Sequence, residues 1–468
     1  MVGTQRKALH LGIAVALAAS ASLVAGCPWL PTDLQVNANL DNPSLAVGTS
    51  TRLTVDATAL PGRTLRYLAV AERGRIYPDK YTESKVLTYY APYTSKSPNS
   101  GGDLVTGDRI TIMVDDGTTT KKEVLTVNLG GTTIAHVQNA DTNGYGDIVL
   151  VSTDDNGFQI SNVRPLKNVN GAQVKGAEPT VSPDGRMIAY VDYSPTSPVS
   201  AIRTVDAGGR IQTVVSPSDN TGFNLDPSWS PGSQELAFVS DRGSQRFDVY
   251  RVSVGEGNTP TRVTNTAVNE RFPAWNPSLA SDRVSTMVVS AQMNSMGDSN
   301  SGSNVAAWNL YMLNIPDGRY LKQLTDLSDQ RDYAFETQWR ADGLAIAYTR
   351  NGPVMDPRSD SQRYQRIYVQ DVTKNAGSGV LLNRSELSAS IFECSPSWSQ
   401  TGNQIAYLKT FSSNLQAAQA QVWRQTVNGL APSSESPRQW TDFTSAIPAL
   451  WYDGTMRTPN SGNSFGWH

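Results

Sequence analysis

The sequence predicts an all-β protein, an N-terminal β-sandwich followed by a six-bladed β-propeller. A recurring phrase is the first observation behind that prediction. It reads Glu178-Pro-Thr-Val-Ser-Pro-Asp-Gly-Arg-Met-Ile-Ala-Tyr190, then Asp226-Pro-Ser-Trp-Ser-Pro-Gly-Ser-Gln-Glu-Leu-Ala-Phe238. Further copies run Phe272-Pro-Ala-Trp-Asn-Pro277, Glu336-Thr-Gln-Trp-Arg-Ala-Asp-Gly-Leu-Ala-Ile-Ala-Tyr348 and Ser395-Pro-Ser-Trp-Ser-Gln-Thr-Gly-Asn-Gln-Ile-Ala-Tyr407. Their equivalent positions Val181, Trp229, Trp275, Trp339 and Trp398 lie 48, 46, 64 and 59 residues apart. Strand-bearing repeats of roughly 40–50 residues mark a propeller. The second observation is a period-2 apolar pattern with regular turns over residues 33–129, before the repeats begin. The third is that five repeats are complete or nearly so, while strands for one more blade are split between Gly146–Ser152 with Phe158–Val163 and Ile447-Pro-Ala-Leu-Trp451. Six blades follow, the last closed by strands from both ends of the module.

In chain order, Arg6 and Lys7 precede a short apolar stretch, Leu11 to Val24, and then Leu23-Val-Ala-Gly-Cys27. The stretch is too short for a membrane span and has the layout of an export signal, residues 1–26. A Cys directly after Ala-Gly resembles the bacterial lipobox. That resemblance implies cleavage before Cys27, a diacylglycerol on its thiol and a lipidated tether over residues 27–32, with Pro28 in place of an Asp implying the outer membrane. Acyl burial at about 0.8 kcal/mol per methylene would anchor the chain. Removing the signal takes two of the 39 basic residues and none of the 42 acids, leaving a net charge of −5. With no basic run to track a phosphate backbone, nucleic acid is not an expected partner. With Cys27 acylated, Cys394 has no intrachain partner, and its place before a core strand reads as a buried, inert thiol.

The sandwich is read over residues 33–129, from Leu34-Gln-Val36, Ser50-Thr-Arg-Leu-Thr-Val-Asp56, Arg109-Ile-Thr-Ile-Met-Val114 and Val124-Leu-Thr-Val127. Asp41-Asn-Pro, Leu60-Pro-Gly62 and Asp115-Asp-Gly117 supply the turns. The stretch Val86-Leu-Thr-Tyr-Tyr-Ala-Pro92 resembles bacterial immunoglobulin-like repeats, which implies a spacer or adhesive unit.

The propeller is read over residues 131–468. A Pro-Asp-Gly or Gly-containing turn carries each inner strand into an Ile-Ala-Tyr strand, because Pro presets φ and Gly supplies the positive φ of a tight turn. Third strands read like Asp248-Val-Tyr-Arg-Val-Ser-Val254, and fourth strands end like Thr261-Arg-Val-Thr264. With Leu236-Ala-Phe-Val-Ser-Asp-Arg-Gly243, these phrases resemble the TolB-type, WD40-like propeller repeat. The resemblance implies the fold and an interaction role in the periplasm. The sandwich in front departs from TolB, which has an α/β domain there.

Histidine limits the chemistry. His10 lies in the signal, His136 at the module boundary and His468 at the end. One usable His argues against a serine hydrolase, and a multi-His metal centre has no ligands. Acids stand before the motif Pro or its substitute at Glu178, Asp226 and Glu336, with Glu270, Asp332 and Glu393 nearby. Two readings apply: a negative ring at one axial mouth that receives a cationic peptide or ion, or clasps accepting backbone N–H bonds from the neighbouring blade. Asp141-Thr-Asn-Gly-Tyr-Gly-Asp147 resembles propeller calcium loops, making Asp141, Asn143 and Asp147 the candidate ligands. An Asn-Gly turn explains it equally, and no other cofactor is expected. Insertions at Ala291–Ala306, Asn351–Tyr364 and Lys409–Ala420 fall between second and third strands, on one face of the disc.

The leading expectation is a non-enzymatic envelope protein, lipid-anchored and facing the periplasm or the cell surface, whose propeller binds a protein or peptide. The alternative is a glycan-binding or glycan-cleaving protein using carboxylates beside open Trp faces.

Overall fold

The computed structural model describes residues 34–446 apart from 99–103, 139–144, 154–162, 194–198, 218–221, 243–245, 256, 294–295, 297–305, 329–331, 354–362, 384–390, 400, 411–418 and 435. Among the described residues every regular element is a β-strand.

Residues 34–130 form two facing four-stranded sheets. One runs Gln35–Leu40, Ser50–Thr58, Val86–Tyr90, Arg75–Tyr77; the other runs Ser44–Ala46, Thr120–Gly130, Asp108–Asp115, Arg66–Ala71. Alternation decides what is buried: in Ser50–Thr58 the side chains of Thr51, Leu53 and Val55 turn inward, and Leu53 and Val55 reach full burial. They pack with Leu87, Tyr89, Ile110, Ile112, Val114 and Val127. At the propeller end the buried Arg73 donates to the carbonyls of Thr94 (2.6 Å), Ser95 (2.7 Å) and Gly107 (2.8 Å). Asp108 accepts the Arg73 and Gly74 N–H groups and the Tyr89 hydroxyl. That node fixes the segment through which the sandwich meets the propeller.

The repeats fold radially. Blades two to six have the inner strands Lys175–Val181, Asn224–Trp229, Glu270–Trp275, Tyr333–Trp339 and Phe392–Trp398, each leading outward through antiparallel partners. Blade one contributes Thr132–Gln138, Gly146–Thr153 and Arg164–Pro165. Of the segments expected to complete it, Phe158–Val163 except its last residue and the whole of Ile447–Trp451 lie outside the described residues. The three long insertions fall between second and third strands, bracketed by Thr286–Gln292 and Trp308–Asn314, Ala345–Pro353 and Arg363–Asp371, and Gln404–Thr410 and Gln419–Asn428.

The sandwich docks against blades one and two. The Tyr93 N–H donates to the Gly185 carbonyl (2.6 Å), and Thr133 and Ser95 continue the join through Tyr93 (2.8 Å) and Gly131 (2.8 Å). Arg164 and Ser152 both donate to the Val47 carbonyl, and Arg75 pairs with Asp206 at 3.1 Å. Gly185 lies in the turn between the first and second strands of blade two, so the sandwich occupies the face of those turns. The insertions leave from the opposite face. Lys121 donates to the Leu34 carbonyl (3.0 Å), which places the chain's entry at the sandwich end remote from the propeller.

Candidate functional site: the axial cavity

The inner strands surround a cavity of about 400 Å³. Its wall includes Thr180, Ser228, Gln338 and Ser397, the prolines Pro179, Pro227, Pro273 and Pro396, and Thr133–His136 of blade one. Pro183 and Pro277, from the turns after inner strands, also line it, so it reaches the sandwich-bearing face.

A bulge shapes that wall. In each of the five inner strands the register with the second strand slips, between Ala177 and Thr180, Leu225 and Ser228, Arg271 and Ala274, Phe335 and Gln338, and Cys394 and Ser397. One extra residue is accommodated each time. The bulge residues Glu178, Asp226, Phe272, Glu336 and Ser395 are all left-handed, with φ of 51–55°. None is glycine, and such a conformation costs on the order of 1–3 kcal/mol. A proline follows four of the five, so no N–H is left over there.

The strain is offset across the blade seams. Glu178 accepts the N–H of Asp226, its counterpart one blade on, at 2.5 Å. Asp226 accepts the N–H of Phe272 at 2.9 Å. Glu336 accepts the N–H of Ser395 at 2.7 Å, its hydroxyl at 3.2 Å, and the Thr349 hydroxyl at 2.6 Å. Each acid therefore ties its own bulge to the next.

Asp226 has a second duty. It holds Arg271 bidentately, at 2.6 and 3.0 Å, and both side chains are removed from solvent. The guanidinium also lies over the rings of Phe247 and Phe272. Burial opposes its charge, but Asp226 and then Glu178 more than restore it and raise its pKa. Glu178 is pushed well above the usual carboxylate range by desolvation, then by Asp226, against the pull of Arg271. Burial raises Glu336 to about 7. Sequence reading missed Arg271; a lone basic residue two places before a motif proline was the available signal.

His136 is buried in the blade-one wall, and desolvation lowers its pKa to about 4, which keeps the imidazole neutral. Cys394 is fully buried with its thiol pushed up. The indoles of Trp229, Trp275 and Trp339 are only 5, 8 and 7 % exposed. They donate to the carbonyls of Thr180, Val284 and Ala274, and two of these bonds cross a seam. None presents an open ring face for a sugar.

Compared with known proteins, the family model described as the TolB beta propeller domain (PD40) matches residues 123–303. The propeller is TolB-like. A "Protein TolB homolog" of Chlorobaculum tepidum is 29 % identical over 136 residues, 29 % of this chain and 27 % of that protein. The chain therefore spans about a quarter of the curated relative it matches. Among solved structures, a puromycin-hydrolyzing peptidase of Mycobacterium tuberculosis aligns with TM-score 0.40 and 14 % identity, over 75 % of this chain and 53 % of the peptidase. A post-proline cleaving enzyme of Rickettsia typhi aligns with TM-score 0.36 and 9 % identity, over 72 % and 44 %.

In the TolB-like ring the six candidate acids do not share one mouth. Glu178, Asp226 and Glu336 line the cavity, whereas Glu270, Asp332 and Glu393 are buried elsewhere, so of the six candidates for an axial mouth three reach it, and those three act as the clasps of the second reading. The bulge is the reason. Glu270 and Glu393 precede it by two residues, where the strand still follows its earlier register. Glu270 accepts the hydroxyls of Thr264, Thr266 and Tyr320 between blades three and four, and burial raises it to about 7. Glu393 faces Asn383 and is raised by burial against Arg366 and Lys409. Asp332 lies just ahead of the strand Tyr333–Trp339. Asp147 pairs with Lys175 at 3.5 Å, while Asp141, Asn143 and the lipidation candidate Cys27 fall outside the described residues. The Ser240-Asp-Arg242 loop folds on itself: Asp241 accepts the Phe223 N–H and Arg242 donates to Ser240 and Asn224.

Proposed function

We propose that this chain is a non-enzymatic scaffold of the bacterial envelope, tethered by lipid on Cys27, whose axial cavity takes an extended segment of a protein partner. One observation carries the reading. The three acids on the cavity wall are committed to neighbouring backbone N–H groups and to Arg271. What remains toward the cavity is Pro, Thr, Ser and Gln surface suited to a peptide. The TolB-like repeats support an envelope role, and the Leu23-Val-Ala-Gly-Cys27 signature supports the anchor. With entry at the far end of the sandwich, the sandwich separates propeller from membrane, and the cavity reaches the face on its side.

The test is a photo-crosslinking residue at Gln338, an exposed position on the cavity wall, in the lipidated chain within native envelopes. One protein partner should be trapped, and the adduct should vanish when Ser228→Trp fills the cavity. Recovery of lipid alone, together with oligosaccharides that raise the melting temperature, would replace this reading with a glycan-binding one. A Cys27→Ala chain should leave the membrane fraction.

A further inference from the structure

The wall of the axial cavity is not the same all round. At four of the five bulges the next residue is proline, Pro179, Pro227, Pro273 and Pro396, whereas in blade five it is Thr337. All five line the cavity. Thr337 is only 3 % exposed, yet its hydroxyl oxygen has no hydrogen-bond partner among the described residues. A polar group buried without a partner costs free energy, and a ligand group that bonds to it recovers that cost. The groups around Thr337 share this state. In blades three and five the last inner-strand indole donates back across its seam, Trp229 to the Thr180 carbonyl (3.0 Å) and Trp339 to the Ala274 carbonyl (2.8 Å). Each acceptor lies two residues after the preceding bulge, so the equivalent bond from Trp398 would go to Gln338. Trp398 does not make it: its indole N–H has no partner among the described residues, and its partly exposed ring lies 5.8 Å from the Arg340 guanidinium. Among the residues two places after a bulge, Gln338 and Ser397 are exposed, Thr180 and Ser228 half-buried and Ala274 buried. Ser228 is already engaged, its hydroxyl accepting the Trp275 N–H at 3.0 Å. Over blades two to four the wall is therefore mostly proline and groups bonded to one another. Uncommitted donors and acceptors gather where blade five meets blade six.

We propose that this seam is the gripping edge of the cavity, where the main chain of the bound segment bonds to Thr337, Gln338, Ser397 and the Trp398 indole. The inference deepens the reading of the cavity as a peptide site and rests on it. The chemistry of the four groups selects a main chain. A peptide unit offers one N–H and one C=O. The indole only donates, while the two hydroxyls and the amide both donate and accept, so an extended strand laid along this edge finds partners for groups of both kinds. Four prolines and Ala274 leave the rest of the wall poor in hydrogen-bonding groups. The side chains of the segment that turn away from the seam then meet Pro179 and Pro227 across the ring, a surface that suits small or apolar residues. The partner is therefore held in register by its backbone and selected by which of its side chains fit against proline.

The test places a photo-crosslinking residue in turn at Thr180, Ser228, Ala274, Gln338 and Ser397, the five equivalent positions, in the lipidated full chain within native envelopes. Gln338 and Ser397 should trap one and the same protein about tenfold more efficiently than the other three. Thr337→Pro then gives blade five the residue that four bulges already carry. With the crosslinker at Ser397 it should cut the adduct about tenfold, the scale of one lost hydrogen bond, without lowering the melting temperature. Thr337→Ser should keep the adduct. If the proline variant melts lower than the parent, Thr337→Val, which removes only the hydroxyl, should give the same loss of adduct. Equal yields around the ring, or a full adduct in both Thr337→Pro and Thr337→Val, would overturn the seam while leaving the peptide reading of the cavity in place. No adduct from any of the five positions would remove that reading, and the seam with it.

Discussion

Two seams of the ring solve one problem with different chemistry. Between blades three and four, and again between five and six, a carboxylate on one bulge accepts the N–H of the next. Between blades four and five the bulge residue is Phe272, which cannot accept. That seam is held by ring packing instead: Phe272 lies 5.2 Å from Phe335, which also meets Tyr333 at 4.6 Å and Trp308 at 5.5 Å. Backbone contacts add to it, through the parallel bridge Trp308–Tyr333 and the Ser290 hydroxyl donated to Ala334. The bulge geometry is the same in both seams, φ 51° at Phe272 and at Glu336. The left-handed bulge is therefore a demand of the inner strand, and the clasp is one of two ways to offset its cost. The seams should then respond differently to truncation, charge removal and pH.

The largest effect is expected at Asp226. Asp226→Ala strands a buried Arg271 and removes the Phe272 clasp, a loss of about 4 kcal/mol by the behaviour of broken buried pairs. Urea unfolding measures it. Adding Arg271→Met should recover much of the loss, because the cost lies in the unpaired guanidinium. If the double variant is no more stable than Asp226→Ala, the clasp itself dominates and the comparison must be redrawn. At the aromatic seam, Phe272→Ala should cost about 3 kcal/mol, the lower end for a buried Phe truncation, and the cost should be the same at pH 5 and pH 8. A pH-dependent loss there would show the two seams to be electrostatically coupled.

How much of this was legible in the sequence follows the same division. The repeat, the turns and the Trp positions were readable because each has a local cause: Pro and Gly fix turn dihedrals, and large rings recur where blades must be filled. The acids before the prolines were visible too, but their partners were not, since a neighbour's N–H is supplied by a residue 46 to 59 positions away. Glu270 and Glu393 were grouped with them because a one-residue bulge is silent in a strand pattern. Arg271 went unread because its burial depends on Asp226 of another blade. In blade one the strand Gly146–Ser152 was legible, but its partner Thr132–Gln138 went unread because it stands apart from the Pro- and Gly-marked turns of the repeat.

Glu336 offers a gentler probe of a clasped seam. Its folded pKa of about 7 stands above the ordinary 4.5, so the folded state holds the proton more tightly than the unfolded one. Stability contributed by the protonated acid is therefore full below about pH 4.5, declines as pH rises toward 7, and is flat above. Over that window the loss is on the order of 3 kcal/mol. Glu336→Gln keeps an acceptor for the Ser395 N–H and removes the titration, so its urea midpoint should change less between pH 5 and 7.5 than that of the parent. Glu270 is shifted in the same direction, also to about 7, and a Glu270→Gln background isolates the Glu336 slope. An unchanged slope in Glu336→Gln would mean that this carboxyl ionises normally and that the clasp is a full ion–dipole bond at neutral pH.

The smallest effect sits at the turn end of the seam between blades two and three. The turns of blades two, five and six place glycine in the left-handed position, Gly185, Gly343 and Gly402, whereas blade three places Ser233 there with φ 58°. The serine is not a mistake of sequence, because its hydroxyl accepts the Asp184 N–H of blade two at 3.0 Å. Ser233→Gly relieves backbone strain of about 1 kcal/mol and loses a hydrogen bond of about the same size, so it should leave stability within about 0.5 kcal/mol of the parent. Ser233→Ala keeps the strain and loses the bond, and should cost about 1 kcal/mol. The ordering parent, glycine, alanine in thermal melts checks the account. An alanine variant equal to the glycine variant would show that strain at this position is negligible, and by extension that the left-handed bulges of the inner strands need no clasp to hold them.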